Sequence, residues 1–367
     1  GVIQKGGDNW RVEPGKLASL RVPPTLNGVL QARLSTMPAD EREILQVAAV
    51  IGRVFWDEAI EDLCCNEERE VPEGRDCRRI LLSLAGREVI YSRPHSTFAS
   101  AQEFVFKHNL FHEVTYGTVS VEQRRRYHAE TARWLAEHSG DRVDEFSGWV
   151  ADHFERAGEF AEAARWYLRA GLRAAAQYAN ADAVDYFGRA LEFTPPNQME
   201  QSCAILLERA RVFDLLGERE HELSDIQQLE EIADRLGDPL YQAETALRQA
   251  SIAEITGGYM ASAQQAQRAI RLGEEAGITR CVAEGYLRWG IVLMRQNEPT
   301  SARTQLEQAL HLARLANLTR LEGESLRNLG IANRMLGQVK QAREYHEQAL
   351  QMSRRTGDRR GESSALV

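Results

Sequence analysis

Long apolar runs are missing from this 367-residue chain: no stretch of about 18 residues could cross a bilayer, and the polar opening GVIQKGGDNW lacks signal-peptide character. No membrane contact and a cytoplasmic location are therefore expected. Cysteine is sparse and odd in number, at five (Cys64, Cys65, Cys77, Cys203 and Cys281), which suits a reducing compartment better than a disulfide framework. Cys64, Cys65 and Cys77, with His95 beyond, contain no CxxC pair, and adjacent cysteines seldom share one tetrahedral ion, so ordinary buried thiols are expected in place of a zinc site. Aromatic residues make up only 7% of a chain that is 43% hydrophobic, a length and composition that call for several domains or an elongated array. Excess positive charge is absent too. The formal net charge of −9 argues against a chain-wide nucleic-acid or acidic-membrane surface, leaving proteins or small molecules as the expected partners.

Nucleotide-hydrolysing machinery is also missing. The sequence has no GxxxxGK[ST], and in EPGKL the Gly15-Lys16 pair is followed by Leu17, with neither the phosphate cradle nor the Mg-binding hydroxyl. Carboxylates recur on helical faces at i, i+3 and i+4, but no nucleophile, base and orienting partner come together, so an enzyme active site within these residues is not expected. Arg124, Arg125 and Arg126 form the one basic triple; it reads as a solvated or interdomain helix face, with duplex DNA as the minor reading.

What is present, first, is a repeat of 40 residues. Gly217, Gly257, Asn297 and Gly337 fall 40 apart, as do Gly237, Gly277, Asn317 and Gly357, so a residue type that tolerates left-handed backbone recurs every 20. Each 20-residue unit reads as one helix and one turn, and two helices make one repeat. Columns of small residues share the register: Ala210, Ala250, Gly290 and Gly330 in the first helix, Ser262, Ala302 and Ala342 in the second, and Leu229, Ala269, Ala309 and Ala349 beyond. Such side chains let paired helices approach closely. The segment LGQVKQAREYHEQAL, 336 to 350, resembles the tetratricopeptide repeat in its 40-residue variety, and the likeness extends over about 198 to 367. The stretches ADHFERAGEFAEAARWYLRAG and ANADAVDYFGRALEF resemble shorter, irregular repeats, before Pro195 and Pro196 break the helix. Trp134, Trp149, Trp166, Tyr167, Tyr178, Tyr186 and Phe187 are expected as core of these hairpins, with an aromatic ligand pocket as the minor reading. Arg360, Glu362 and Leu366 match Arg320, Glu322 and Leu326, so the repeats are expected to continue past Val367 in a longer protein.

The first third differs. Thr25 can cap a helix running to about Met37, Pro38 opens a second helix ending near Gly52, and a third spans about Asp57 to Cys64. After the polar loop NEEREVPEGRD come a helix, CRRILLSLAG, and two strands, EVIYSR and EFVFKH, separated by PHSTFAS. Helices followed by a two-stranded wing make a winged helix. The motifs PPTL..VLQARL, ER.ILQVAAVIGR.F and F.F.H.L..EV.Y resemble the winged-helix segment of STAND signal-transduction ATPases, over about 21 to 140. The expected class is therefore mainly α: residues 1–20 as a remnant hairpin of a preceding ATPase module, a winged-helix domain at 21–140, irregular hairpins at 141–197 and a tetratricopeptide-like solenoid at 198–367.

That resemblance implies more than the residues do. The family places a P-loop ATPase upstream, with ADP or ATP and Mg as ligands of the full-length protein; the present residues alone need no cofactor. A Met-His-Asp motif at the end of the family's wing approaches the diphosphate of ADP in the closed state. Lys107, His108 and Asn109 occupy the matching place, which makes His108, with Lys107 beside it, the candidate nucleotide sensor, although Lys107 replaces Met and Asn109 replaces Asp. The helix amides that follow favour anions. The alternative is that His108 packs and caps locally. The implied function is regulatory: a protein or small-molecule signal on the concave solenoid face, through small and polar positions of the first helices, would act on an ATPase domain in cis and on oligomerisation. The competing reading is a passive scaffold.

Overall fold

The computed structural model describes residues 3–6, 9–12, 25–64 and 76–356. Cys65, most of the NEEREVPEGRD loop, the EPGKL segment, Gly357 and the residues 360 to 366 lie outside them. The chain divides into two compact units, 1–170 and 171–367.

Unit 1 begins with an antiparallel hairpin, β1 (Ile3–Gly6) and β2 (Asn9–Val12), in which Ile3 pairs with Val12. Helix α1 (Leu26–Ser35) is capped by Thr25, whose Oγ1 accepts the Gly28 amide at 3.2 Å. Helix α2 (Ala39–Ile51) starts after Pro38, ends at Gly52 and buries Ile44, Leu45, Val47 and Ala48. A strand that the hydrophobic pattern does not announce follows, β3 (Val54–Trp56); then come α3 (Asp57–Cys64), α4 (Cys77–Gly86), β4 (Ile90–Ser92) and β5 (Glu103–Phe106). The expected two-stranded wing is thus part of a three-stranded antiparallel sheet ordered β3-β5-β4, with β5 central and Phe55 opposite Phe104. Cys64 and Cys77 are buried at the facing ends of α3 and α4.

Glu103 is buried on β5, and its carboxylate ties down the loop between β4 and β5: Arg93 donates at 2.8 Å, the Thr97 hydroxyl at 2.6 Å and the Thr97 amide at 3.0 Å. Burial pushes its pKa up, but these donors outweigh burial and leave it lowered. Unit 1 continues with α5 (Asn109–Gly117), α6 (Val121–His138), α7 (Val143–Ala157) and α8 (Phe160–Ala176), the last crossing the boundary. Trp134 stacks on Trp56 at 5.6 Å and meets Phe98 edge-on at 5.1 Å, forming an aromatic core beside the sheet. Two expected core aromatics are instead at the surface, Trp149 (55% exposed) and Tyr178 (82% exposed); Tyr178 has φ 60° just past the end of α8, where its ring points away from any packed face.

Unit 2 holds α9 (Asn180–Phe193) and then eight helices in antiparallel pairs: α10 (Met199–Leu216) with α11 (Arg219–Leu236), α12 (Pro239–Ile255) with α13 (Tyr259–Glu275), α14 (Thr279–Arg295) with α15 (Pro299–Leu315), and α16 (Thr319–Met335) with α17 (Val339–Thr356). The seven described members of the Gly/Asn series all have positive φ, from 54° at Asn317 to 83° at Gly257. At six of these turns the next amide reaches back to close the helix end, as in Gly258 to Ala253 at 2.7 Å and Leu318 to Ala313 at 2.8 Å. The small-residue columns are buried where paired helices touch. A Cβ on Gly290, for instance, would lie 2.7 Å from Leu306. The first helices also pack on one another, α12 with α14 and α14 with α16, more extensively than the second helices do. The first helices therefore form the inner side of the solenoid.

Candidate functional site: the inner face of the repeats

The inner face is built by the same 40-residue step that builds the fold. One position per first helix is Glu244, Glu284 and Glu324; four residues on, one helical turn away, stand Arg248, Arg288 and Asn328; four residues before, Arg280 and Arg320. Because the repeats stack, these carboxylates meet guanidinium groups of their own helix, of neighbouring helices, or, at Glu284, of both. Glu244 pairs with Arg280 of the next repeat and lies 3.5 Å from Arg211 of the preceding one. Glu284 lies 3.5 Å from Arg288, 3.9 Å from Arg248 and 3.9 Å from Arg280. Arg320 donates to Glu324 at 3.0 Å.

These groups line a cavity of about 260 Å³ formed by Arg211, Arg248, Arg280, Arg320, Glu284 and Glu324 with Leu318, Thr319 and Leu321. Burial pushes the Glu284 carboxyl up, yet Arg288, Arg248, Arg280 and Arg320 together hold it below the ordinary range. Arg248, only 9% exposed, is shifted down by burial and by its cationic neighbours Arg211 and Arg288, against the pull of Glu284. The arrangement can hold a charged or hydrogen-bonding ligand along several repeats.

The small positions expected to receive a signal do not reach this face. Ala210, Ala250, Gly290 and Gly330 are consumed in packing, and the groove is lined by charged residues at other positions of the same helices. The 40-residue recurrence of Glu and Arg was visible in the sequence, but helix-spaced charges usually mark a solvated surface.

In unit 1, His108 is the N-cap of α5, exposed, with no side-chain capping bond; its carbonyl accepts the Phe111 and His112 amides. Asn109 is not the cap: it sits in the first turn and donates to Glu113 at 2.6 Å. Lys107 is paired with Glu88 at 2.5 Å. The basic triple is partly committed inside the unit, Arg124 lying over Tyr116 at 4.8 Å and Arg126 over Tyr127 at 4.9 Å.

Unit 1 also has a cavity of about 270 Å³ lined by the end of α2, His112, Tyr116, Trp149, His153 and Arg156. A relay runs beside it: Tyr116 Oη lies 3.0 Å from His128 Nε2, and His128 Nδ1 lies 2.9 Å from His153 Nδ1. His153 also donates to the Ile51 carbonyl, which leaves its Nδ1 to accept from His128 and the Tyr116 hydroxyl to donate. Burial, above all, and the nearby cations push both imidazoles down to about 3.

Residues 281–355 match the tetratricopeptide repeat family. No curated protein sequence matches the chain. Among solved structures, a Signal Transduction ATPase with Numerous Domains (STAND) protein with a tetratricopeptide repeat sensor, from Pyrococcus horikoshii, aligns over 95% of this chain at 12% identity with a TM-score of 0.46, and the chain spans 55% of that protein. A Rap protein complexed with competence and sporulation factor aligns over 71% of this chain and 74% of its own length, at 13% identity and a TM-score of 0.51. The apo form of RapI aligns over 66% and 94%, at 9% identity and a TM-score of 0.50. These likenesses are of fold: a mainly helical chain carrying tetratricopeptide-type repeats. No helix among the described residues is long and apolar enough to cross a membrane.

Proposed function

We propose that this chain is the regulatory, signal-sensing part of a STAND-type ATPase. Unit 1 is read as a winged helix that responds to the nucleotide state of an ATPase domain in cis, and unit 2 as the repeat array that receives a protein or small-molecule signal. The order α2-β3-α3-α4-β4-β5, with the last two strands joined by a loop held on Glu103, supports the winged-helix reading. The sensor reading is supported by the charged inner face of the repeats, and the Rap protein, of related helical fold, is an instance of such an architecture in complex with competence and sporulation factor.

The observation that carries the nucleotide link is the state of His108. Its side chain is exposed at the head of α5, directly after the central strand, and no capping bond consumes it. The amides of Asn109 and Leu110 have no carbonyl one turn earlier in the helix, so this end suits an anion such as the diphosphate of ADP. His108 would contribute one donor; Lys107, held by Glu88, would lend charge at most. ADP, when bound, supplies that diphosphate, and this chain's part is to orient and retain it.

The test is the nucleotide content of the full-length protein with and without His108→Ala, by denaturation and quantification of released ADP and ATP. Retained ADP in the wild type and its loss in the variant are expected. Equal ADP in both, or none in the wild type, overturns the role of His108 and leaves the passive scaffold.

A further inference from the structure

The inner-face cavity is unbalanced in charge and in hydrogen bonding. Its lining has four arginines against two glutamates; adding the residues outside the lining that pair within this network, Glu208, Glu244 and Arg288, gives five arginines against four glutamates, an excess of one cation. The Nε atoms of Arg248 and Arg288 are buried without an acceptor. Glu284 does not supply one. Its contacts with the three guanidinium groups around it are 3.5 to 3.9 Å, beyond good hydrogen-bond length. A buried guanidinium Nε left without an acceptor is costly, and a guanidinium fork is matched in shape by a carboxylate or a phosphate.

We propose that an anionic group, the carboxylate of an acidic peptide or a phosphate, binds in this cavity among Arg248, Arg280, Arg320 and Arg211. The inference rests on reading the inner face as the receiving surface and adds the chemical class of what it receives. Its consequence is mechanical. Arg211 belongs to α10, Arg248 to α12, Arg280 to α14 and Arg320 to α16, so one anion touches four successive inner helices. In a solenoid whose stability is a sum of nearest-neighbour interfaces, a ligand that spans four repeats ties them into a stiffer unit. Asn328 stands where Arg248 and Arg288 have their counterpart in the last described repeat, so the cationic cluster is centred on α12 and α14 and does not run the length of the array.

The test is hydrogen exchange and thermal unfolding of the 367-residue chain at constant ionic strength, with inorganic phosphate, penta-glutamate or penta-lysine as probes. Millimolar phosphate or penta-glutamate is expected to slow exchange in α12, α14 and α16 and to raise the Tm, and Arg248→Gln to weaken this at least tenfold. Because Arg248 is buried, the exposed Arg320→Gln is made in parallel; it removes one fork from the rim and is expected to weaken binding as well. Protection by penta-glutamate alone identifies a peptide carboxylate, and by phosphate alone a phosphate. Protection of the inner helices by penta-lysine but by neither anion overturns the anion proposal while leaving the receiving face standing. No protection by any probe, or protection confined to α11, α13 and α15, overturns both. Protection by the anions that is unchanged in both variants overturns the assignment to this cavity.

Discussion

Gly285 and Gly323 occupy the same kind of helix in successive inner positions of the array, yet the fold asks different things of them. An alanine methyl at Gly285 would lie 2.6 Å from Ile270 Cγ1 and 3.0 Å from the Ala266 carbonyl oxygen across the α13–α14 contact, whereas at Gly323 the nearest atoms, of Met352, are 3.9 Å away. Replacing glycine by alanine inside a helix stabilises it by about 1 kcal/mol. At Gly323 nothing opposes that gain. At Gly285 forcing two helices apart costs roughly 1–3 kcal/mol, so Gly285→Ala should range from neutral to destabilising by about 2 kcal/mol. The propensity gain is common to both variants, so the difference between them isolates the packing cost. At about 2–4 °C per kcal/mol for a unit of this size, Gly323→Ala should melt roughly 2–12 °C above Gly285→Ala in far-UV circular dichroism. Equal gains in both variants would refute the close approach of paired helices on which the repeat register rests.

Two predictions concern acid. His128 is 1% exposed and held neutral down to about pH 3, while an unfolded imidazole protonates near 6.5. Its folded pKa is the lower one, so stability falls as pH drops below about 6.5, by roughly 2 kcal/mol at pH 5 from this group alone. The groups facing it are Tyr116, His153, Arg124 and Arg156, and hydrogen exchange in α2 and α6 should accelerate between pH 7 and pH 5; flat exchange there would contradict the neutral relay. Glu284 has a lowered pKa, so its contribution is complete above the ordinary carboxyl range and is lost only as pH falls through and below about 4.3. Exchange in α14 should therefore respond at lower pH than exchange in α2. Glu284→Gln should erase that later step, and an unchanged acid profile in this variant would show that the arginines do not depend on its charge.

Features that repeat are the ones the sequence displays well. Gly217 to Gly337 could be read as helix closures because few residues accept left-handed backbone, and the period then marked the eight paired helices of unit 2, though not α9. Thr25, Pro38 and Gly52 marked helix ends for equally local reasons. Strand β3 was not legible: three residues show no alternation, and what makes Val54–Trp56 a strand is its pairing with β5, some fifty residues on. The inner-face ladder was legible only in part. Glu244, Glu284 and Glu324 recur at the right step, but which side of a helix faces inward depends on how the pairs stack, and that stacking sent the small residues into the packed seam and left the charges in the groove. For His108 the sequence located the junction of strand and helix, where β5 gives way to α5.

The central claim is that occupancy of the inner face changes nucleotide retention. The most direct measurement is the rate of ADP release from the full-length protein, loaded with a fluorescent ADP analogue, with and without saturating penta-glutamate. The account predicts a rate that changes with the probe in the wild type and does not change in Arg248→Gln. Penta-glutamate that protects α12 and α14 from exchange while the ADP release rate stays the same would contradict it.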